Sequence, residues 1–411
     1  MNGGVTTARG FKAAGVRAGI RNKDKKDVSL IYSETPCVAA GAFTTNLVQA
    51  APVVWCKEIL KNGKAKHGLA INSGIANACM GEQGKKDNYL FAKTVAEKLS
   101  IDPEQLFVAS TGVIGQPMPM DLITAAVPSL VNSLADTQNA ADAALEGMMT
   151  TDTKKKQCAA TFAMQDEEID IYVGGMSKGS GMIHPNMATM IAIITTDVNI
   201  SEELLQEAVS NVVKDTFNMI SVDRDTSTND TFIVLANGLA ANEKIVKKNK
   251  DYDNFETALK LVCETLAKKM AADGEGATKL LECKVRNART KEEAVKLAKS
   301  VISSNLVKTA FYGSDANWGR IMCAMGYSDA WFDPNAIDIS IEVEDSEGDE
   351  VKLKIVENGL GLEFSEEMAT EMLSQPEVTI KIDVKAGYEK ATAWGCDMTY
   401  DYVKINGDYR S

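Results

Sequence analysis

Between Ile337 and Val384 the apolar residues alternate. Ile337, Ile339, Ile341 and Val343 form one run, Val351, Leu353 and Ile355 a second beyond a polar connection, and Val378, Ile380, Ile382 and Val384 a third. Alternation sends successive side chains to opposite faces of a sheet, so this region is expected to hold a hairpin with a longer loop and a further strand. Upstream the spacing turns helical. In residues 87–99, Leu90, Phe91, Thr94, Val95 and Leu99 recur at helical intervals, and in 201–213, behind Ser201 as a cap, so do Leu204, Leu205, Ala208 and Val212. Residues 255–271 (Leu259, Val262, Leu266, Met270) and 291–299, preceded by Thr290 as a second cap, follow the same rule. Short apolar runs at 28–32 and 38–43, bounded by Asp27, Pro36 and Thr44, predict two early strands. Strands and helices mixed along the whole chain restrict it to an α/β or α+β architecture.

The 411 residues suffice for two or three domains at roughly 100–200 residues each. A break is expected between the helix ending near Ala271 and a strand around Val285, giving domains 1–280 and 281–411. No uninterrupted apolar run approaches the ~18 residues that a spanning helix needs, so no membrane is expected as a partner. Lys+Arg 44 against Asp+Glu 57 gives a net charge of −13 with the basic residues scattered, which lacks the footprint of a nucleic-acid binder. The two histidines, His67 and His184, are too few for a His-rich metal site. Eight cysteines with no CxxC pair are expected as buried free thiols. The N-terminus lacks a basic segment followed by an apolar one, and with the cysteine pattern this predicts a reducing compartment, the cytoplasm.

Chemistry concentrates in Gly174-Gly175-Met176-Ser177-Lys178-Gly179-Ser180-Gly181-Met182-Ile183-His184-Pro185-Asn186-Met187-Ala188-Thr189-Met190, which feeds an apolar run at 191–194. A flexible loop is expected to enter a buried strand. Gly179-x-Gly181 lacks the third glycine of a dinucleotide fingerprint, and Lys178 precedes the glycines where a Walker lysine follows them. A phosphate cradle is therefore poorly supported. His184 beside Pro185 fits a turn residue better than a general base. Thr189 stands at the strand entrance, and a cut before it would set a free α-amine beside its own hydroxyl. An amine with a pKa of about 7.7–8.0 can serve as the base, with no histidine required. From pattern alone, a β-branched strand residue behind a turn is the simpler account of Thr189.

The run 178–190 resembles the signature of the ornithine acetyltransferase (glutamate N-acetyltransferase) family of arginine biosynthesis, whose chains cleave themselves before the threonine. Six further stretches match in family order: Asn72-Ser73-Gly74-Ile75-Ala76-Asn77-Ala78-Cys79, Ser110-Thr111-Gly112-Val113-Ile114-Gly115, Met149-Thr150-Thr151-Asp152-Thr153, Asp225-Thr226-Ser227-Thr228-Asn229-Asp230, 273–279 and 308–320. The likeness spans essentially the whole chain. It implies cleavage between Ala188 and Thr189, Thr189 as the nucleophile, and Thr111 with Gly112 as an oxyanion hole. Thr150, Lys178, Thr189, Glu275, Asn406 and Ser411 fall where the family contacts substrate. A cationic Lys178 suits a carboxylate, and an anionic Glu275 suits an amino group.

The activity so implied is transfer of acetyl from N2-acetylornithine to glutamate through acetyl-Thr189, with acetyl-CoA open as a second donor. The implied fold is a layered α/β sandwich similar to N-terminal nucleophile hydrolases, with a smaller α/β C-terminal domain. No metal or organic cofactor is implied, and the implied assembly is a heterotetramer of two α and two β chains. Two departures stand out: Arg224 occupies a position where the family pattern has glycine, and the chain closes on Ser411 where threonine is also common. Two other functions remain open at this level. One is a self-processing amidase or aminopeptidase that uses water as acceptor, and the other is a binding protein that stays uncut.

Overall fold

Two short runs, Ile191–Thr196 and Thr231–Ala236, are buried at every position. A strand apolar on both faces needs cover above and below, which is the environment of a parallel pair inside a layered sheet. In the computed structural model, which describes residues 2–21, 24–165, 168–184, 190–345 and 347–408, these two strands pair in parallel from Ile191 opposite Thr231 to Thr196 opposite Ala236. They belong to the first of two units, made of Met1–Gly179, Pro185–Asn218 and Thr226–Leu266. Its eight-stranded sheet runs Leu106–Val113, Lys66–Ile75, Val28–Phe43, Thr231–Ala236, Ile191–Thr196, Asp170–Lys178, Lys156–Ala163, and Phe11–Val16 pairs with Val28–Phe43 off this path.

Successive strand residues feed opposite faces of this sheet. Leu69, Ile71, Phe107 and Ala109 join one buried cluster, and Ala70, Leu106 and Val108 join another. Helices Ala51–Leu60 and Gln138–Met148 cover the first face with Val53, Cys56, Ile59, Ala144 and Leu145, while Gly81–Leu99 and Met120–Asn132 cover the second with Phe91, Val95, Ile123 and Val127. The result is the layered sandwich that the resemblance implied. Each such fully buried Val, Leu, Ile or Phe contributes roughly 1.5–3 kcal/mol.

The structure differs from the sequence expectation at one early strand. The runs at 28–32 and 38–43 form one continuous strand, Val28–Phe43. Its first part pairs with Lys66–Ile75, the register shifts between Tyr32 and Cys37, and its second part pairs with Thr231–Ala236. Pro36 has no N–H to give a ladder, and Glu34 and Pro36 are exposed, so the apolar pattern breaks where the strand changes partner. Both caps are present. The Ser201 hydroxyl accepts the Leu204 N–H at 3.3 Å ahead of Glu202–Asp215, and the Thr290 hydroxyl accepts the Glu293 N–H at 3.2 Å ahead of Lys291–Ser303.

The second unit comprises Ser180–His184, Met219–Asp225 and Ala267–Ser411. Its seven-stranded sheet runs Leu360–Gly361, Glu350–Glu357, Asp338–Glu344, Glu377–Asp383, Leu280–Ala288, Glu389–Cys396, Ile220–Ser221. The alternating runs form the expected hairpin, with Ile341 opposite Leu353 and Val343 opposite Val351. All eight cysteines are free thiols, and six are buried, whereas Cys79 and Cys323 are exposed. Among the described residues no helix is long and apolar enough to cross a membrane.

Candidate active site

Thr111 and Gly112 lie near the end of Leu106–Val113, which runs parallel to Lys66–Ile75 with Ser73 opposite Thr111 and Gly74 opposite Gly112. Gly112 has φ +131°, and a Cβ there would come within 2.2 Å of the Gly74 carbonyl carbon and 2.6 Å of the Ile75 nitrogen. Only glycine fits where two backbones approach this closely. Lys178 ends the strand Asp170–Lys178, opposite Ile191, and is 8% exposed. Its ammonium donates to Thr111 Oγ1 at 3.2 Å.

The neighbourhood of Lys178 is organised by Asp152. Oδ1 accepts from Lys156 Nζ at 2.6 Å and from the Gly179 N–H at 2.7 Å, while Oδ2 accepts from the Thr150 N–H at 2.9 Å. One buried carboxylate thus fixes the backbone of Thr150 and of the residue after Lys178. Burial pushes the Asp152 carboxyl up, but the Lys178 and Lys156 ammoniums and the bonds from Lys156 and Gly179 outweigh it and hold it well below the usual carboxylate range. Asp152 is therefore anionic at neutral pH. Arg21 Nη2 donates to the Thr150 carbonyl at 3.0 Å, so that residue is held from both ends. Asp230 behaves oppositely. Burial raises its carboxyl well above the usual range, against the pull of Ser227, Thr44, the Met190 N–H and Lys178.

Glu275 and Asn406 meet in the second unit. Asn406 Nδ2 donates to Glu275 Oε2 at 2.8 Å and to the Tyr402 carbonyl at 3.0 Å, which ties the side chain to its own helix, Tyr400–Gly407. Glu275 is buried, its N–H donates to the Ser180 carbonyl at 2.9 Å, and a Cβ at Gly181 would lie 2.3 Å from Oε2. The glycine lets the carboxylate lie flat against the 180–184 segment. Asp223 secures that segment by accepting the N–H groups of Met182 at 2.6 Å and Ile183 at 2.8 Å, with the Tyr402 hydroxyl donating at 3.3 Å. His184 Nδ1 lies 2.9 Å from Ser221 Oγ. Burial, with Lys299 and Arg224 nearby, pushes its imidazole down to about 4, so it is neutral at physiological pH.

The structure therefore gathers Thr111, Gly112, Thr150 and Lys178 in the first unit and Glu275 with Asn406 in the second. Ala188, Thr189 and Ser411 lie outside the described residues. The residue after Thr189 is placed: the Met190 carbonyl accepts the Thr231 N–H at 2.8 Å. Asp152 and Asp230 were not singled out by the sequence, although both stand inside stretches that matched the family, 149–153 and 225–230. Among the described residues no group of three or more His, Cys, Asp or Glu is arranged to hold a metal ion.

Comparison with known proteins agrees with the motifs. Residues 12–411 match the profile described as the ArgJ family. The arginine biosynthesis bifunctional protein ArgJ 1 of Clostridium acetobutylicum is 48% identical over 410 residues, covering 100% of this chain and 98% of its own. The arginine biosynthesis bifunctional protein ArgJ of Symbiobacterium thermophilum is 49% identical over 413 residues, covering 100% and 99%. A crystal structure of arginine biosynthesis bifunctional protein argJ from Bacillus halodurans is 47% identical, covers 52% of this chain and 97% of that one, and superposes with a TM-score of 0.49. With nearly half of its residues shared along the full length of such relatives, and a family match running from residue 12 to the last, the chain belongs to the ArgJ family.

Proposed function

We propose that this enzyme is an acyltransferase of arginine biosynthesis that moves the acetyl group of N2-acetylornithine to glutamate through an ester on Thr189. Its curated relatives carry the name arginine biosynthesis bifunctional protein. After a cut between Ala188 and Thr189, the Thr189 hydroxyl attacks the acetyl carbonyl carbon and its proton passes to the adjacent α-amine. The carbonyl oxygen becomes an oxyanion, which the Thr111 hydroxyl and the Gly112 N–H receive. Collapse breaks the C–N bond, the Thr189 ammonium returns the proton to the leaving amine, and ornithine departs. Glutamate then attacks the ester, the same steps run in reverse, and free Thr189 is regenerated. Lys178 suits a substrate carboxylate, and Glu275, with Asn406 on its Oε2, suits an amino group.

The observation that carries this reading is the bond from Lys178 to Thr111 Oγ1. An ammonium can only donate, so it occupies a lone pair of the hydroxyl oxygen and leaves the hydroxyl hydrogen for another acceptor. A cation bonded to that oxygen also strengthens the O–H as a donor. Thr111 is thereby prepared for an acceptor that becomes negative during reaction.

The same reading gives a cytoplasmic assembly of two N-terminal and two C-terminal fragments, and it admits acetyl-CoA as a second acetyl donor. The test incubates the purified protein with N2-acetylornithine, with and without glutamate. Acetylglutamate and ornithine formed in equal amounts support transfer. Free acetate formed at the same rate without glutamate would make the protein an amidase, and an uncut, inactive chain would make it a binding protein. Acetyl-CoA with glutamate then decides the second donor, and light scattering of the cleaved protein decides the assembly.

A further inference from the structure

One buried amide ties together the two pieces of backbone on which the proposed chemistry depends. Asn229 is 7% exposed. Its Nδ2 donates to the Ala76 carbonyl at 2.6 Å and to the Ser110 carbonyl at 2.8 Å. Its Oδ1 accepts the Thr228 hydroxyl at 2.6 Å. Two carbonyls can only accept, so they fix which end of the amide faces them, and both Nδ2 hydrogens are used. Ser110 immediately precedes Thr111, and its hydroxyl is anchored on Asn72 Oδ1 at 2.6 Å. Ala76 follows the strand that lies beside Gly112, and its N–H closes onto the Val113 carbonyl at 2.9 Å. The amide therefore grips the Thr111–Gly112 backbone from the residue before it and from the neighbouring strand.

The other end of this segment is equally fixed. Two residues on, the Thr231 N–H donates to the Met190 carbonyl at 2.8 Å, and Met190 is covalently joined to Thr189. Two residues span at most about 7 Å. The intervening chain has no slack, because the Asn229 N–H donates to Ser227 Oγ at 3.1 Å, the Thr231 hydroxyl donates to the Asn229 carbonyl at 3.0 Å, and the Ala50 N–H donates to the Thr228 carbonyl at 3.0 Å.

We infer that Asn229 is a positioning residue that sets the spacing between the chain at Met190 and the Thr111–Gly112 backbone. The inference rests on the reading of Thr189 as nucleophile and Thr111 with Gly112 as oxyanion donors. Asn229 touches no reacting atom. It acts because a donor displaced by a fraction of an ångström is poorly aimed at the oxyanion while ground-state substrate contacts elsewhere are untouched. Its loss is therefore felt in kcat rather than in KM.

The experiment measures transfer from acetylornithine to glutamate by Asn229→Ala, with rates expressed per cleaved chain. The expected result is a fall in kcat of about 100-fold with KM for acetylornithine changed less than about threefold. If Asn229 works through Thr111, the Asn229→Ala/Thr111→Ala double variant loses only a few-fold beyond Thr111→Ala alone, since neighbours acting on one function do not combine independently. Losses that multiply, or an unchanged kcat, overturn the inference. Thr228→Val keeps the volume and removes only the donor to Asn229 Oδ1, so it decides the matter if Asn229→Ala does not fold: kcat should fall about tenfold, and an unchanged kcat is again fatal. Retained transfer by Thr189→Ala would instead remove the nucleophile reading itself, whereas an inactive Thr189→Ala beside a fully active Asn229→Ala would remove the positioning role alone.

Discussion

Lys178 and Thr111 meet at 3.2 Å, an ammonium donating to a hydroxyl across 67 residues of sequence. The hydroxyl carries an oxyanion role only if it donates, and the lysine leaves it free to do so. Thr111→Ala should lower kcat by about 10²–10³-fold with a smaller change in KM, the loss seen when one such donor is removed. Steady-state kinetics with acetylornithine checks it, and an unchanged kcat takes Thr111 out of the site. Lys178→Met should lower kcat too and should also raise KM for carboxylate-bearing substrates.

The nucleophile is tested by chemistry at Thr189. Thr189→Ala should abolish both cleavage and transfer, while Thr189→Ser should retain part of each, because hydroxyl and α-amine both survive in serine. Denaturing gels should show fragments of 188 residues and the remaining 223 of the 411. Edman sequencing of the second fragment should begin at Thr189, and any other first residue rejects the proposed bond.

Asp152 links the site to stability. Its carboxyl titrates well below the usual range in the folded protein, against about 3.9 in an unfolded chain. Its contribution is therefore complete above pH 3.9 and is lost as pH falls from there toward the folded value. Asp152→Asn removes the charge that faces Lys156 and Lys178 and should cost about 3–5 kcal/mol at pH 7. Urea unfolding at pH 7 and below pH 4 measures both, and the gap between variant and parent should narrow in acid. A gap independent of pH would show that the ion pair is not its source.

Arg224 offers a gain. It stands at φ +72° in the exposed turn after Asp223, the left-handed region where a side chain costs about 1–2 kcal/mol. Glycine relieves that strain but loses more chain entropy, roughly 0.5–1 kcal/mol, so Arg224→Gly should stabilise by about 0.5–1 kcal/mol. A lower urea midpoint for the variant would mean that the arginine side chain contributes more than the strain removes.

That same position shows how far the sequence could be read. Glycine was expected at 224 from the family pattern, and the backbone there, at φ +72°, adopts a conformation that favours glycine although arginine occupies it. The caps Ser201 and Thr290 were legible because a cap is a local contact three residues long. The start of Gly81–Leu99 was not, since its first turn, Gly81-Glu82-Gln83-Gly84, carries no apolar residue to set a period. Within the site, Thr111, Gly112, Thr150, Lys178, Glu275 and Asn406 came from the resemblance, not from periodicity. Asn229 could not come from spacing at all, because its two carbonyl partners stand 119 and 153 residues away. A buried amide looks like any other polar turn residue until its partners are known.

The strand order of the first sheet has a consequence for a chain cut before Thr189. Ile191–Thr196 and Thr231–Ala236 would then belong to one fragment, while the strands on either side, Asp170–Lys178 and Val28–Phe43, belong to the other. The later fragment enters the first sheet as a two-strand wedge held between strands of the earlier one. Pulling the wedge out would break two complete ladders at once and expose twelve buried residues. Hydrolysis of the peptide bond would thus leave the two fragments clasped by the ladders that formed before the cut, so that the sheet itself, and not the peptide bond, would keep each pair together.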